Sequence, residues 1–281
     1  MKRVLLCTDG SAYSQVCCQY AAWLAGRISC EFEVLYVTDL RQFEVPMVAD
    51  LSGSLGVQPY QAVLSKLQEL EAEKAKLVLK DAERLLAEAK AAAPPRYTHR
   101  TGFLVDCFQE YEQAADLVML GKRGENANFA TGHLGSTMER VVRASRQPCF
   151  VTSRSYQPIE RVLLAYDGGK SCRKALEYLV SSPAFRGLEL HVVIVAARAG
   201  EETALAALRE AESSLVAAGQ QPICQMLHGV VEDEIAAYVA ARGINCLIMG
   251  AYGHSRIRQF VIGSTTTAMM RQCRVPVLLF R

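Results

Sequence analysis

The sequence predicts an α/β protein of two tandem doubly wound domains, each a parallel sheet covered by helices on both faces. Three observations lead there. The 281-residue chain repeats itself. Within each repeat, short apolar runs alternate with longer helical patterns. Each repeat also places polar landmarks just after strands, where open parallel sheets bind ligands.

The repeat is read from four landmarks. "RVLLCTDGS" at 3–11 returns as "RVLLAYDGG" at 161–169, and "DLVMLGKRG" at 116–124 answers "NCLIMGAYG" at 245–253. "LGSTMERVVRASRQPCFV" from Leu134 answers "IGSTTTAMMRQCRVPVLL" from Ile262. Asp9 and Asp167 are 158 residues apart and Gly121 and Gly250 are 129 apart, so the second copy is 29 residues shorter between these landmarks.

The elements follow in order. "VLLCT", "FEVLYV", "LVMLG" and "CFVTS" are too brief for helices and carry β-branched residues, so they read as buried strands. Residues 14–27 and 136–145 read as helices between them. Alternating strands and helices imply a parallel sheet with both faces covered. The extra length of the first copy lies around 59–95, rich in charged residues and helix formers. Val63, Leu64, Leu67, Leu70, Leu77, Val78, Leu85 and Leu86 give it a broken apolar stripe. It reads as one long helix, or two collinear ones, around 60–92 and stopped by Pro94 and Pro95. It covers the sheet or offers a coiled-coil face, with Lys74 and Arg84 interrupting the seam. "SRSYQP" at 153–158 is the natural linker, which gives a first domain at 1–154 and a second, more compact one at 159–281.

Composition narrows the function classes. Apolar residues make up 51% and charged residues 21%, ordinary globular usage, and a net charge of +2 argues for neither nucleic acid nor an anionic membrane as partner. The N-terminal apolar run is too short for a signal peptide, and no segment is long and apolar enough to span a bilayer. Ten cysteines without a CxxC pair fit a reducing, cytoplasmic setting better than a disulfide framework. Cys7 aligns with Ala165, Cys149 with Val277 and Cys246 with Leu117, so these thiols read as small buried hydrophobes. Cys17 and Cys18 are adjacent on a helix, and no metal site is implied.

The polar landmarks carry the binding chemistry. In "GAYGHSRIRQFVIGSTTT" at 250–267, a GxxG step follows a strand and a Gly-Ser-Thr opens a helix. Glycines let backbone N–H groups approach an anion, and the helix N-terminus adds partial positive charge, so phosphate suits the cradle. An aspartate after the first strand suits a ribose hydroxyl or a base amino group, both donors. A purely architectural strand-to-loop turn is the competing explanation of the glycines.

Asp-Gly-Ser after a strand, GxxG, nine residues, Gly-Ser and a closing "PV" strand together resemble the universal stress protein family, here as a tandem pair. The resemblance covers almost the whole chain. It implies a five-stranded parallel sheet per half, of the adenine nucleotide alpha hydrolase-like kind, with the halves paired through their last strands. It also implies that an adenine nucleotide, ATP with or without Mg²⁺, is the ligand. Carried over to the second half, Asp167 and Gly168 meet the adenine end and Val195 supplies a backbone contact. Gly250, Gly253 and His254 form the phosphate loop, and Gly263, Ser264 and Thr265 hold phosphate oxygens. Gly169 departs from the usual serine.

The first half matches less well. Asp9, Gly10, Ser11, Gly121, Gly124, Gly135, Ser136 and Thr137 are in place, but ten residues, 125–134, separate the second and third glycines where the family has nine. An added residue in a tight anion loop redirects its amides, which makes this the weaker site. Lys122 and Arg123 either compensate by charge or are merely solvated. His133 and His254 lie in the loop segments without aligning; either proton transfer or simple loop polarity accounts for them. There is no GxxxxGK[ST] stretch and no obvious Mg²⁺-holding carboxylate pair, so at most slow ATP hydrolysis is expected.

Three functions follow: a nucleotide-binding stress or regulatory protein, a slow ATP hydrolase, and a scaffold for another small molecule or a protein. The first leads, with ATP occupancy biasing conformation or partner binding. The expected partners are the adenine nucleotide, the other half of the chain and, as a homodimer, a second copy.

Overall fold

The computed structural model describes residues 2–43, 59–124, 135–196, 201–251 and 263–281. The first half runs β1 (Arg3–Thr8), α1 (Ala12–Ala25), β2 (Glu31–Asp39), α2 (Pro59–Leu86), β3 (Arg96–Gly102), α3 (Leu104–Glu112), β4 (Leu117–Gly121), α4 (Ser136–Ala144) and β5 (Cys149–Thr152). The second runs β6 (Arg161–Ala165), α5 (Lys170–Ser181), β7 (Glu189–Val195), α6 (Glu201–Ala217), β8 (Ile223–Leu227), α7 (Val231–Ala241), β9 (Cys246–Gly250), α8 (Ser264–Gln272) and β10 (Val277–Phe280).

The strands among the described residues join one ten-stranded sheet in the order β3-β2-β1-β4-β5-β10-β9-β6-β7-β8. Each half is internally parallel, while β5 and β10 meet antiparallel, with Leu278 opposite Phe150. The carboxyl ends of the strands therefore point to opposite rims in the two halves. Apolar side chains of α1, α2, α5 and α6 cover one face of the sheet and those of α3, α4, α7 and α8 the other. Both clusters draw on both halves, so the halves are related by an approximate twofold axis normal to the sheet.

The central strands β1, β4, β6 and β9 are buried on both faces, as continuous apolar runs require. The outermost strands are different. "RYTHRTG" of β3 is largely polar and "ICQML" of β8 is a short run broken by Gln225; both strands are partly exposed, so apolar runs alone do not reveal them.

The 29-residue difference lies entirely between the second and third strands of each half: 56 residues at 40–95 against 27 at 196–222. α2 and α6 occupy equivalent places, so the first half carries a longer version of a shared helix along with a longer connection. α2 ends at Leu86, well before Pro94 and Pro95, because the chain turns there to dock: the Ala89 N–H donates to Leu86 O and the Ala92 N–H to Cys30 O at 2.8 Å. Its buried face also differs from the expected stripe. Leu67, Leu70 and Leu77 are exposed (39%, 56% and 68%), while Ala75, Val78, Ala82 and Leu86, at helical spacing, face the sheet and α1.

The seam is aromatic on one face. Tyr20 of α1 lies edge-on to Phe150 at 5.5 Å, and Trp23 faces Phe185 of the second half at 6.1 Å. Arg27, stacked over Trp23, donates through Nε to Ala184 O and through Nη2 to Arg186 O.

Candidate functional site

In each half the chain runs outward from the first strand and then returns to add the fourth on the other side. The strand order thus reverses between β1 and β4, and between β6 and β9. The crevice at the carboxyl ends of such a pair is where a doubly wound sheet binds ligands.

In the first half, Asp9 follows β1, and its Oδ1 accepts the Ser11 N–H at 3.0 Å. Gly10 between them has φ +78°, a left-handed conformation that side chains resist, and α2 presses Val78 against it. Ser11 caps α1, its Oγ accepting the Ser14 N–H at 3.3 Å. The glycine step closes on these residues. A Cβ on Gly124 would lie 2.6 Å from Asp9 Oδ2, and one on Gly121 would lie 2.7 Å from Tyr13 Cβ. The Gly135 N–H donates to Lys122 O at 3.2 Å, and Ser136 and Thr137 open α4 as exposed residues. The eight first-half residues named from sequence therefore stand at one strand-end crevice.

The second half repeats this geometry with differences. Asp167 follows β6 and accepts the Gly169 N–H through Oδ1 at 2.7 Å, with Gly168 at φ +73° between them. Gly169, standing where Ser11 stands, heads α5 without a side-chain cap. Ala207 of α6 replaces Val78 as the neighbour of the positive-φ glycine, at 3.3 Å from a notional Cβ. Val195 ends β7 beside β6, and Gly250 ends β9 beneath Ser171 and Cys172. Gly263 is the N-cap of α8, and Ser264 and Thr265 are its first two residues. Gly253 and His254, like His133 in the first half, lie outside the described residues.

Lys122 has a role that neither sequence expectation anticipated. It is neither solvated nor turned toward an anion: its Nζ donates to Cys273 O, at the end of α8 in the other half, at 2.6 Å. Burial pushes its pKa down to about 8. A helix C-terminus carries partial negative charge, which explains why the ammonium settles there.

Sequence reasoning also missed Thr266 and His228. The Thr266 hydroxyl is buried and donates to Ala251 O at 3.1 Å, tying the first turn of α8 to the end of β9. His228 Nδ1 lies 3.2 Å from Ala196 O and steadies the residue after Val195. The buried spacing Thr266, Met269, Met270 along α8 was the available signal for the first.

All ten cysteines are free thiols, and burial raises their pKa values. Cys172 Sγ, at the floor of the second crevice, is pushed up to about 12 by burial and by Asp167 beside it.

Comparison with known proteins agrees with this architecture. The sequence profile of the Universal stress protein family matches residues 1–153 and again 158–281. The chain belongs to the universal stress protein family. A universal stress protein of Synechocystis sp. is 44% identical over 287 residues, with 100% of both chains covered. Among solved structures, a universal stress protein of Archaeoglobus fulgidus superposes with a TM-score of 0.74 at 24% identity, covering 99% of this chain and 98% of that one. A protein of unknown function from Pseudomonas aeruginosa gives 0.62 at 14% identity, with 100% and 92% covered. These structures share the fold, and the two profile matches make this chain a tandem universal stress protein. No helix among its described residues is long and apolar enough to cross a membrane.

Proposed function

We propose that this tandem universal stress protein binds an adenine nucleotide, ATP, chiefly in its second half, and that occupancy biases partner recognition in a stress response. The observation that carries this is the gathering of Asp167, Gly168, Val195, Gly250, Gly263, Ser264 and Thr265 at adjoining strand ends with the N-terminus of α8. The donor set suits the ligand. Asp167 offers a carboxylate to ribose or base donors, and the α8 amides with the Ser264 and Thr265 hydroxyls offer hydrogen bonds to phosphate.

The second half is favoured over the first by what surrounds each crevice. In the first, Lys122 is committed to the seam, the Gly135 amide to Lys122 O, and Val78 crowds Gly10. In the second, Ala207 leaves more room at Gly168.

Calorimetric titration of the nucleotide-free full chain with Mg-ATP tests the proposal, with Gly263→Asp as the variant. Gly263 has φ −58° at an N-cap, where aspartate is itself preferred, so folding should persist while a negative charge enters the cradle. One binding event lost in the variant supports the reading. No heat with the native chain, or unchanged affinity in the folded variant, overturns it.

A further inference from the structure

A second polar feature lies at the seam, one strand away from the β9 crevice. A cavity of about 600 Å³ has Arg140, Arg143, Arg146, Lys174 and Arg281 in its wall, and no acidic side chain among its described lining residues. The cations come from both halves: three lie on or just after α4, one is on α5, and one directly follows β10.

Three of these groups are locked in place. Arg281 Nη1 donates to Arg143 O at 3.2 Å and Ser145 O at 2.9 Å, and Lys174 Nζ donates to the main-chain oxygen of Arg281 at 2.8 Å. Arg140 Nη1 is held by Asp39 at 3.2 Å. Glu112, a second buried carboxylate, is engaged by the Ser145 hydroxyl and by the Arg146 and Gln147 amides. Arg143 and Arg146 remain. Both are exposed, and neither side chain has an ion-pair or hydrogen-bond partner among the described residues.

The duplication supplies an internal control. Under the landmark alignment, the residues equivalent to Arg140, Arg143, Arg146, Lys174 and Arg281 are Ala268, Arg271, Arg274, Val16 and Ser153. Arg143 and Arg146 thus have counterparts in Arg271 and Arg274, whereas Arg140, Lys174 and Arg281 do not, so only this side of the seam gathers all five cations. Concentrating like charges is unfavourable unless an anion offsets them.

We propose that this cavity binds a compact polyphosphate, a small molecule bearing two or more phosphate groups. Guanidinium groups match phosphate oxygens in paired hydrogen bonds, and several fixed cations favour multiple phosphates over a single carboxylate. The volume lies in the range of small-molecule sites, which favours a compact ligand over a polymer. Arg143 and Arg146 make the contacts; Arg281 and Lys174 hold the wall that positions them.

The probe is inorganic tripolyphosphate, titrated calorimetrically into the full chain at moderate salt. The test is run in the Gly263→Asp background, where the nucleotide crevice is blocked; there the proposal expects one site whose affinity falls at least tenfold when Arg143→Gln/Arg146→Gln is added and, independently, weakens with Lys174→Gln. The cavity site should persist in Gly263→Asp, which separates it from the nucleotide crevice. All three variants change exposed or N-cap positions, so their folding is checked directly by melting. Unchanged affinity in the double arginine variant, loss of binding in Gly263→Asp, or equal binding of sulfate at matched ionic strength would each overturn the assignment.

Discussion

Lys122 Nζ lies 2.6 Å from the carbonyl oxygen of Cys273, a bond that crosses from the glycine step of one half to the last turn of α8 in the other. Burial lowers the pKa of this lysine from 10.5 to about 8. Below about pH 8 both folded and unfolded chains carry its proton. Between about 8 and 10.5 only the unfolded chain retains it, so the contribution of Lys122 to stability rises with pH across that window. Urea unfolding of the native chain and of Lys122→Met at pH 7.5 and 9.5 should show the difference between them growing by about 2 kcal/mol in favour of the native chain. A difference that stays flat would contradict a desolvated ammonium.

Gly10 and Gly168 share a left-handed backbone but not a neighbour. Alanine at either position costs about 1–2 kcal/mol for the conformation alone. At Gly10 the new Cβ also meets Val78 Cγ2 at 2.7 Å, whereas at Gly168 it meets Ala207 Cβ at 3.3 Å. Gly10→Ala should therefore destabilise more than Gly168→Ala, and Val78→Ala should relieve the excess in a double-mutant cycle. Equal costs would show that α2 yields at this point.

Raised thiol pKa values have two consequences. Because the folded chain holds these protons above the pH at which the unfolded chain loses them, stability from the thiols falls as pH rises through about 9. Reactivity should be low as well. At pH 8 a disulfide-exchange reagent should label the native protein slowly, Cys7 and Cys224 first because they are only partly buried, and all ten thiols rapidly after denaturation. Rapid native labelling of a buried thiol such as Cys246 would count against the packing described.

Thr266 links helix and strand at the second crevice without touching the proposed ligand cradle. Thr266→Val removes the bond to Ala251 O while keeping the shape, at an expected cost of about 1–2 kcal/mol. It should also weaken Mg-ATP binding several-fold by loosening the first turn of α8. Full affinity together with reduced stability would limit the residue to packing.

What could be read from the sequence depended on whether the decisive contact was local. β1, β6 and the Asp-Gly turns were legible because a buried parallel strand is a continuous apolar run, and because the duplication printed each landmark twice. β3 and β8 were not, since an outer strand with one covered face carries polar residues such as His99 and Gln225. The stripe assigned to α2 held only in part, with Val78, Leu85 and Leu86 packed and Leu67, Leu70 and Leu77 exposed, for a packing reason. Leucines drew attention, but close approach to the sheet is made by Ala75 and Ala82. Lys122 and the cationic wall around Arg281 were out of reach altogether, because each bond spans more than 100 residues and exists only once β5 and β10 pair. At the second crevice, the neighbouring strand ends bring together the described members of the expected set, Asp167, Gly168, Val195, Gly250 and Gly263 through Thr265.

The antiparallel junction of β5 with β10 is closed within a single polypeptide. Its two partners are tethered, so they meet at an effective concentration that no dilution of the protein can lower. The halves are also unequal, in the spacing of their glycine loops and in the charges at their shared border. Two such halves made as separate chains would have to sort among like and unlike pairings. Tethered in one chain, they always form the unlike pair, and the inequality between the two rims is inherited intact by every molecule.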